Sequence, residues 1–212
     1  LGYDSVVIRR RVAEMASFLG IQQWFHKSVT ELSGGQKQLL NLAAIMVLQP
    51  KVILLDEPTS QLDPIAASDF LETIYKVNRE LGTTIIMSEH RLEEVLPMSD
   101  RVIVLEAGEM IAEGTPKVVG KMLREMQHDM FLAMPVPMRV FAGVPNMMEC
   151  PLTVREGREW LNEVAQKMTL QPERIPKDKI GDLDRKVAIE LKELWFRYEK
   201  NLPDTIKGLS AK

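Results

Sequence analysis

Three short stretches combine residue types able to do chemistry on an anion. The first is Leu32-Ser33-Gly34-Gly35-Gln36. A serine followed by two glycines at a helix start leaves backbone N–H groups open, and the helix dipole adds partial positive charge there. The same pattern also suits an ordinary cap. The second is Leu54-Leu55-Asp56-Glu57-Pro58. An apolar strand that ends in two acids sets them at the carboxyl edge of a parallel sheet, where ligands of α/β folds collect. Asp56 could hold Mg²⁺ there, directly or through water, and Glu57 could orient or deprotonate an attacking water. A solvated strand end is the plainer alternative. The third is Ser88-Glu89-His90, after the next apolar run. Parallel neighbours end side by side, so His90 could reach the same anion, or could be purely structural.

The elements that must position these residues are legible from periodicity and stop signals. Asp4 to Leu19 reads as an amphipathic helix stopped at Gly20, with Arg9, Arg10 and Arg11 mostly on the face away from Val7, Ile8, Val12 and Met15. Those arginines form either a solvated face or a docking patch. A second helix runs from Gly34 to Leu48 and ends before Pro50. Val52 to Leu55 is an all-apolar run, as expected of a strand buried on both faces. A third helix spans Pro64 to Leu81, with Asp63 as N-cap, Pro64 in its first turn and Gly82 as its stop. Thr83 to Met87 is the next buried strand and Arg91 to Leu96 a short helix. Arg101 to Glu106 and Glu109 to Ala112 form strands around a turn at Ala107-Gly108. Pro116 opens a helix expected to continue to Met134, capped by Thr115. On it Met122, Met126, Met130 and Met134 would form a stripe, either core or a pliable partner surface. Strand and helix alternating in this way imply an α/β fold with a parallel sheet.

Beyond residue 134 the composition changes. Pro135, Pro137, Pro145 and Pro151 interrupt the chain before a helix from Val154 to Met168, opened by a capping box of Thr153 and Glu156. Residues 171–186 read as linker, and Val187 to Leu191 begin a new strand pattern. The 212 residues are 45% hydrophobic, enough for one core and a smaller piece, and carry a net charge of −3. That balance supplies no basic face, so a nucleic-acid partner is not expected. The single Cys150 cannot form an internal disulfide and is expected to be inert. No apolar run approaches the roughly 20 residues that cross a bilayer, and no secretory segment leads the sequence. It begins with Leu1 and stops at Lys212 in a strand pattern, so both ends are expected to be cut from a longer protein.

Taken in order, Leu-Ser-Gly-Gly-Gln, an apolar strand with Asp56-Glu57, Ser60-Gln61-Leu62-Asp63 and a strand leading to His90 closely resemble the ABC ATPase family over residues 1 to about 118. The closing segment Glu109 to Pro116 is similar too. The resemblance implies a P-loop NTPase fold and ATP hydrolysis with Mg²⁺. It implies that Ser33, Gly34, Gly35 and Gln36 are the signature motif that touches the γ-phosphate of ATP held by a partner domain. Asp56 would be the Walker B acid on Mg²⁺, Glu57 the catalytic base, Asp63 part of the D-loop between two nucleotide sites, and His90 the switch histidine on the γ-phosphate. The family's phosphate loop, Gly-x-x-x-x-Gly-Lys-Ser/Thr, does not occur in the sequence. Gly114 to Met122 is a decoy, one residue too long, with Met122 where a Mg²⁺ ligand should stand. The glutamine loop would precede Leu1. Leu39 and Leu40 follow Gln36-Lys37-Gln38 where many members carry a basic residue first.

Ser88 to Val95 and Thr59 to Pro64 resemble the tandem ATPases of energy-coupling-factor importers. On that resemblance, 1–118 is the later part of a first ABC domain, 119–186 an inter-domain linker with helices, and 187–212 the start of a second ABC domain. Leu194 to Tyr198 resembles that domain's opening, with Tyr198 either stacking on adenine or a plain strand residue. The phosphate loop of the second domain would follow soon after Lys212. The implied partners are the second ABC domain of the same protein and membrane-embedded transporter subunits, with the protein peripheral on the cytoplasmic face. The piece alone is expected to be inactive, since nothing in it neutralises the β- and γ-phosphates. Two other readings remain: a soluble ABC ATPase acting on ribosomes or DNA, and a non-enzymatic interaction protein that donates its signature motif.

Overall fold

The computed structural model describes residues 4–167 and 189–211. The linker expected at 171–186 and the strand start at Val187 and Ala188 lie outside the described residues. The chain divides into two units, Leu1–Met168 and Thr169–Lys212.

In the first unit, α1 (Ser5–Leu19) is opened by Asp4, whose side chain accepts from the Val6 amide, and is closed by Gly20 at φ 70°. Helix α2 covers Gly34–Met46, β1 Val52–Asp56, α3 Pro64–Leu81 and β2 Thr84–Ser88. The α3 crossover returns β2 parallel to β1, with Val52 opposite Thr84 and Asp56 opposite Ser88. Met15 and Ala16 of α1, Leu42, Ala43 and Met46 of α2, Ile53 of β1, and Phe70, Ile74 and Val77 of α3 make one buried cluster.

The expectation that β1 and β2 are buried on both faces needs correction. Ile53 is buried and Leu55 and Ile85 pack against the helices, but Val52, Leu54 and Ile86 on the other face are 52%, 74% and 57% exposed. Side chains alternate across a strand, so one layer of helices can cover only one of the two sets.

After a short helix α4 (Leu92–Val95), β3 (Val102–Glu106) and β4 (Glu109–Gly114) form an antiparallel hairpin. Ala107 and Gly108 both have positive φ, 50° and 85°, as a type I′ turn demands. Helix α5 ends at Glu125 rather than continuing to Met134. Gln127 turns left-handed at φ 53°, and the His128 amide bonds back to the Leu123 carbonyl at 2.9 Å, a Schellman-type ending without glycine. His128 Nδ1 then accepts from the Met130 amide at 3.1 Å and caps a 3-10 turn over Asp129–Ala133. The methionine stripe is therefore split. Met134 and, in part, Met122 enter the core, while Met126 and Met130 are exposed.

Helix α6 (Val136–Ala142) and α7 (Val154–Lys167) complete the unit. Val119, Leu123, Met134 and Met138 share a second buried cluster with Leu96, Val104 and Ala112, so residues after 118 pack directly on the hairpin. A Cβ at Gly157 would stand 3.0 Å from Pro137, which shows how closely α6 and α7 approach. The expected cap of α7 forms on one side, with the Glu156 amide donating to Thr153 Oγ1 at 3.2 Å. The return bond from Glu156 reaches the Leu152 amide, at 2.7 Å, instead of that of Thr153. The second unit is a hairpin of β5 (Leu191–Phe196) and β6 (Ile206–Ala211), antiparallel and irregular in register.

The bond from the Leu152 amide holds the Glu156 carboxyl below its ordinary value; partial burial opposes this and nearby Lys117 assists it. Because the folded pKa is depressed, the stabilisation is present above the unfolded carboxylate value and fades as pH falls through the lowered folded one. Glu156→Gln should therefore lower stability at neutral pH by less than about 1 kcal/mol after solvent screening, and lower Tm accordingly. Thermal melts across pH should show the gap from the parent closing below about pH 4.3.

Candidate functional site

The register of the parallel pair builds the site. Asp56 and Ser88 are paired at the carboxyl ends of β1 and β2, and Ser88 Oγ donates to Asp56 Oδ1 at 2.6 Å. The same Oγ accepts from the Glu57 amide at 3.0 Å, and the Ser88 carbonyl accepts from that amide at 3.2 Å. Glu57 itself sits at φ 41°. A left-handed backbone is uncommon for a residue with a Cβ and persists only where its surroundings enforce it. The turn aims the Glu57 side chain at His90, with Oε1 and Nε2 2.9 Å apart. Both side chains remain open to solvent. Asp56, Glu57 and His90 are thus brought together as the spacing predicted.

The Ser33 to Gln36 stretch forms a reciprocal cap. Ser33 N–H donates to Gln36 Oε1 at 3.0 Å, and the Gln36 amide donates to Ser33 Oγ at 3.3 Å. The ordinary-cap reading is therefore realised, and it leaves the first amides of α2, at Gly34 and Gly35, without intrahelical acceptors. This helix end lies against the turn that follows Glu57. Gln38 Nε2 donates to the Pro58 carbonyl at 3.2 Å, and a Cβ at Gly35 would stand 3.0 Å from Ala66 Cβ. Asp63, on the same turn, uses Oδ1 to accept from the amides of Ile65 and Ala66, both at 3.0 Å. Tyr198 belongs to the second unit. It follows β5 in a loop closed by an Arg197–Asp204 ion pair of 2.8 Å. The residue is 76% exposed, and its ring meets that of Phe196 in a T-shaped contact at 5.1 Å.

Ser88 and Gln38 are contributors that sequence reasoning gave no role. The signal for Ser88 was its register opposite Asp56; Gln38 makes a tertiary contact with no local signal. Among the described residues no group of three or more His, Cys, Asp or Glu side chains could cage a metal. Mg²⁺ commonly takes one or two carboxylates and fills its shell with water and substrate phosphates, and Asp56, oriented by Ser88, could supply one.

Apolar parallel strands between helices, ending in an acid pair faced by a histidine, are consistent with a P-loop NTPase fold. Comparison with known proteins agrees. Residues 5–60 match the model of the ABC transporter family. The chain is 42% identical over 211 residues to an ABC transporter ATP-binding protein of Bacillus anthracis, covering all of this chain and 37% of that protein. It is 40% identical over 119 residues to the energy-coupling factor transporter ATP-binding protein EcfA1 of Clostridium perfringens, covering 56% of this chain and 42% of that one. Among solved structures, cbiO1 of Clostridium perfringens, part of the ABC transporter complex cbiONQ, superposes with a TM-score of 0.52 at 32% identity. That match covers 62% of this chain and 50% of the other. The chain thus matches less than half the length of these curated relatives.

At Gly35, helix α2 has room for little more than a hydrogen atom against Ala66 of α3. Gly35→Ala should overpack this contact, because Ala66 Cβ cannot rotate away, and should destabilise the protein by about 1–3 kcal/mol. Urea unfolding of parent and variant at one pH measures the difference.

Proposed function

We propose that this chain is part of a tandem ATPase subunit that powers import of a vitamin or related micronutrient through an energy-coupling-factor transporter. The observation that carries the ATPase reading is the Glu57–His90 pair of 2.9 Å beside Asp56. In this reading Asp56 holds Mg²⁺, whose charge offsets that of the β- and γ-phosphates. Glu57 polarises the attacking water and accepts its proton. His90 hydrogen-bonds the γ-phosphate and keeps Glu57 aimed at the water. Little covalent chemistry is asked of the protein in phosphoryl transfer, so positioning and charge do most of the work.

The signature residues Ser33, Gly34, Gly35 and Gln36 act on a different nucleotide, completing the ATP site of the second ABC domain with the open amides of α2. Asp63 lies in the turn that links the two sites. Tyr198, with its open ring face, stacks on adenine in the second domain, and residues 119–186 connect the two domains. Support for the tandem arrangement comes from the Bacillus relative, which aligns over 211 residues that amount to 37% of its length and so carries the remaining chain elsewhere. Support for the energy-coupling-factor branch comes from EcfA1 and from the resemblance of Ser88 to Val95. No helix among the described residues is long and apolar enough to cross a membrane. The subunit therefore works in this reading as a peripheral partner of membrane-embedded subunits on the cytoplasmic face, and closure of its domains on ATP drives them.

The test is phosphate release by the full-length protein. Glu57→Gln should lower kcat by about 10²- to 10⁴-fold while ATP binding persists, as expected when a general base is removed. A Glu57→Gln variant that turns over at the parental rate would refute the assigned role.

A further inference from the structure

Glu89 makes more hydrogen bonds than any other carboxylate around the site, and the hydrolytic reading gives it no role. Its Oε1 accepts from the Thr59 amide at 3.1 Å and from the Thr59 hydroxyl. Its Oε2 accepts from the His90 amide at 2.9 Å and the Arg91 amide at 3.3 Å. Thr59 is only 4% exposed. The Arg91 guanidinium turns instead to Glu94, with Nε at 2.8 Å. The Glu89 carboxylate is thus satisfied by a hydroxyl and three amides. Partial burial works to raise its pKa, but these bonds, led by the Thr59 hydroxyl, outweigh it and hold the carboxyl below its ordinary value.

We propose that Glu89 is a positioning residue for ATP hydrolysis, tying the turn after Glu57 to the loop that carries His90. This inference rests on the ATPase reading above. The strained φ of Glu57 must be held from both sides. Ser88 fixes residue 57 through the Glu57 amide, and Glu89 fixes residue 59 through both Thr59 donors. Both tethers start at the end of β2, as does His90. The distance from Glu57 to His90 is therefore set by consecutive residues of one loop gripping the other. Releasing the Thr59 end lets residues 57–59 relax out of the left-handed conformation, which swings the Glu57 carboxylate away from His90 and from the attacking water. The turn that starts at Thr59 also carries Asp63, so the same tether couples the D-loop to the histidine loop.

The experiment uses the full-length protein. In Glu89→Gln the side-chain amide faces N–H donors on both sides and must set one of its own N–H groups against them. Its kcat should fall by about 10- to 100-fold, the cost of a misplacement near 1 Å, with KM for ATP nearly unchanged. Hydrogen exchange across residues 57–63 should quicken in this variant, while β1 and α3 keep their protection. Thr59→Val should lose part of the same activity, Thr59→Ser should recover most of it, and Thr59→Val should add little on top of Glu89→Gln, because the two residues share one interaction. A Glu89→Gln protein with parental kcat overturns the inference and leaves the ATPase reading intact, provided that Glu57→Gln is impaired. Loss of kcat without faster exchange at 57–63 also overturns it. Should Glu89→Gln fail to fold, equal activity of Thr59→Val and Thr59→Ser overturns it in the same way. A parent protein unable to hydrolyse ATP removes both readings together.

Discussion

The parallel register of β1 against β2 is the constraint on which the site depends. Asp56 and Ser88 are opposite one another, and the hydrogen bonds that orient the Asp56 carboxylate and the Glu57 amide start from that pair. A slip of one residue would turn each side chain to the opposite face of the sheet. Asp56 would then point toward the α2 and α3 layer, a charge with no partner, and Ile53 would leave the core. The buried side of the strands therefore fixes the register, and the register fixes the acids. Ile53, Leu55 and Ile85 take part in the chemistry in this indirect sense, because their packing on Phe70, Ile74 and Met46 makes any other alignment costly.

The rest of the site is built by side chains that answer local backbone needs first. Ser33 and Gln36 cap α2, Asp63 caps α3, and Ser88 satisfies both Asp56 and the Glu57 amide. A capped helix end is rigid, and its remaining amides are held in fixed directions, which is what binding an anion without reorganisation requires. Ser33 accepts a hydrogen bond from Gln36, so its own hydroxyl proton stays available for an outside acceptor. The structural and the functional readings of this motif are therefore compatible. The strained residue, Glu57, occurs where the chain leaves the strand and has to aim a side chain sideways at its neighbour's loop.

Much of this was legible in the sequence because the signals were local. Asp4 and Gly20 bracket α1, and Asp63, Pro64 and Gly82 bracket α3, each by a cap whose chemistry acts within four residues. The proximity of Asp56, Glu57 and His90 followed from two apolar runs joined by a helix. Features that depend on tertiary context were not legible. An all-apolar run does not say how many faces are covered, and β1 and β2 prove to be covered on one. Helix α5 ends at Glu125, and the left-handed turn that stops it falls at Gln127, a residue type that gives no stop signal; the bond from the His128 amide to Leu123 reveals it. The contact of Gln38 with Pro58 joins residues 20 apart in sequence, and no periodicity could have announced it.

The most direct measurement is the position of the γ-phosphate in the full-length protein, determined from a structure of its Glu57→Gln variant with Mg²⁺ and ATP bound. The account predicts a γ-phosphate oxygen within hydrogen-bonding distance of His90 Nε2, about 2.7–3.2 Å, with Mg²⁺ on the Asp56 side and a water beside residue 57. A γ-phosphate bound away from His90, with Asp56 taking no part in the Mg²⁺ shell, would contradict it.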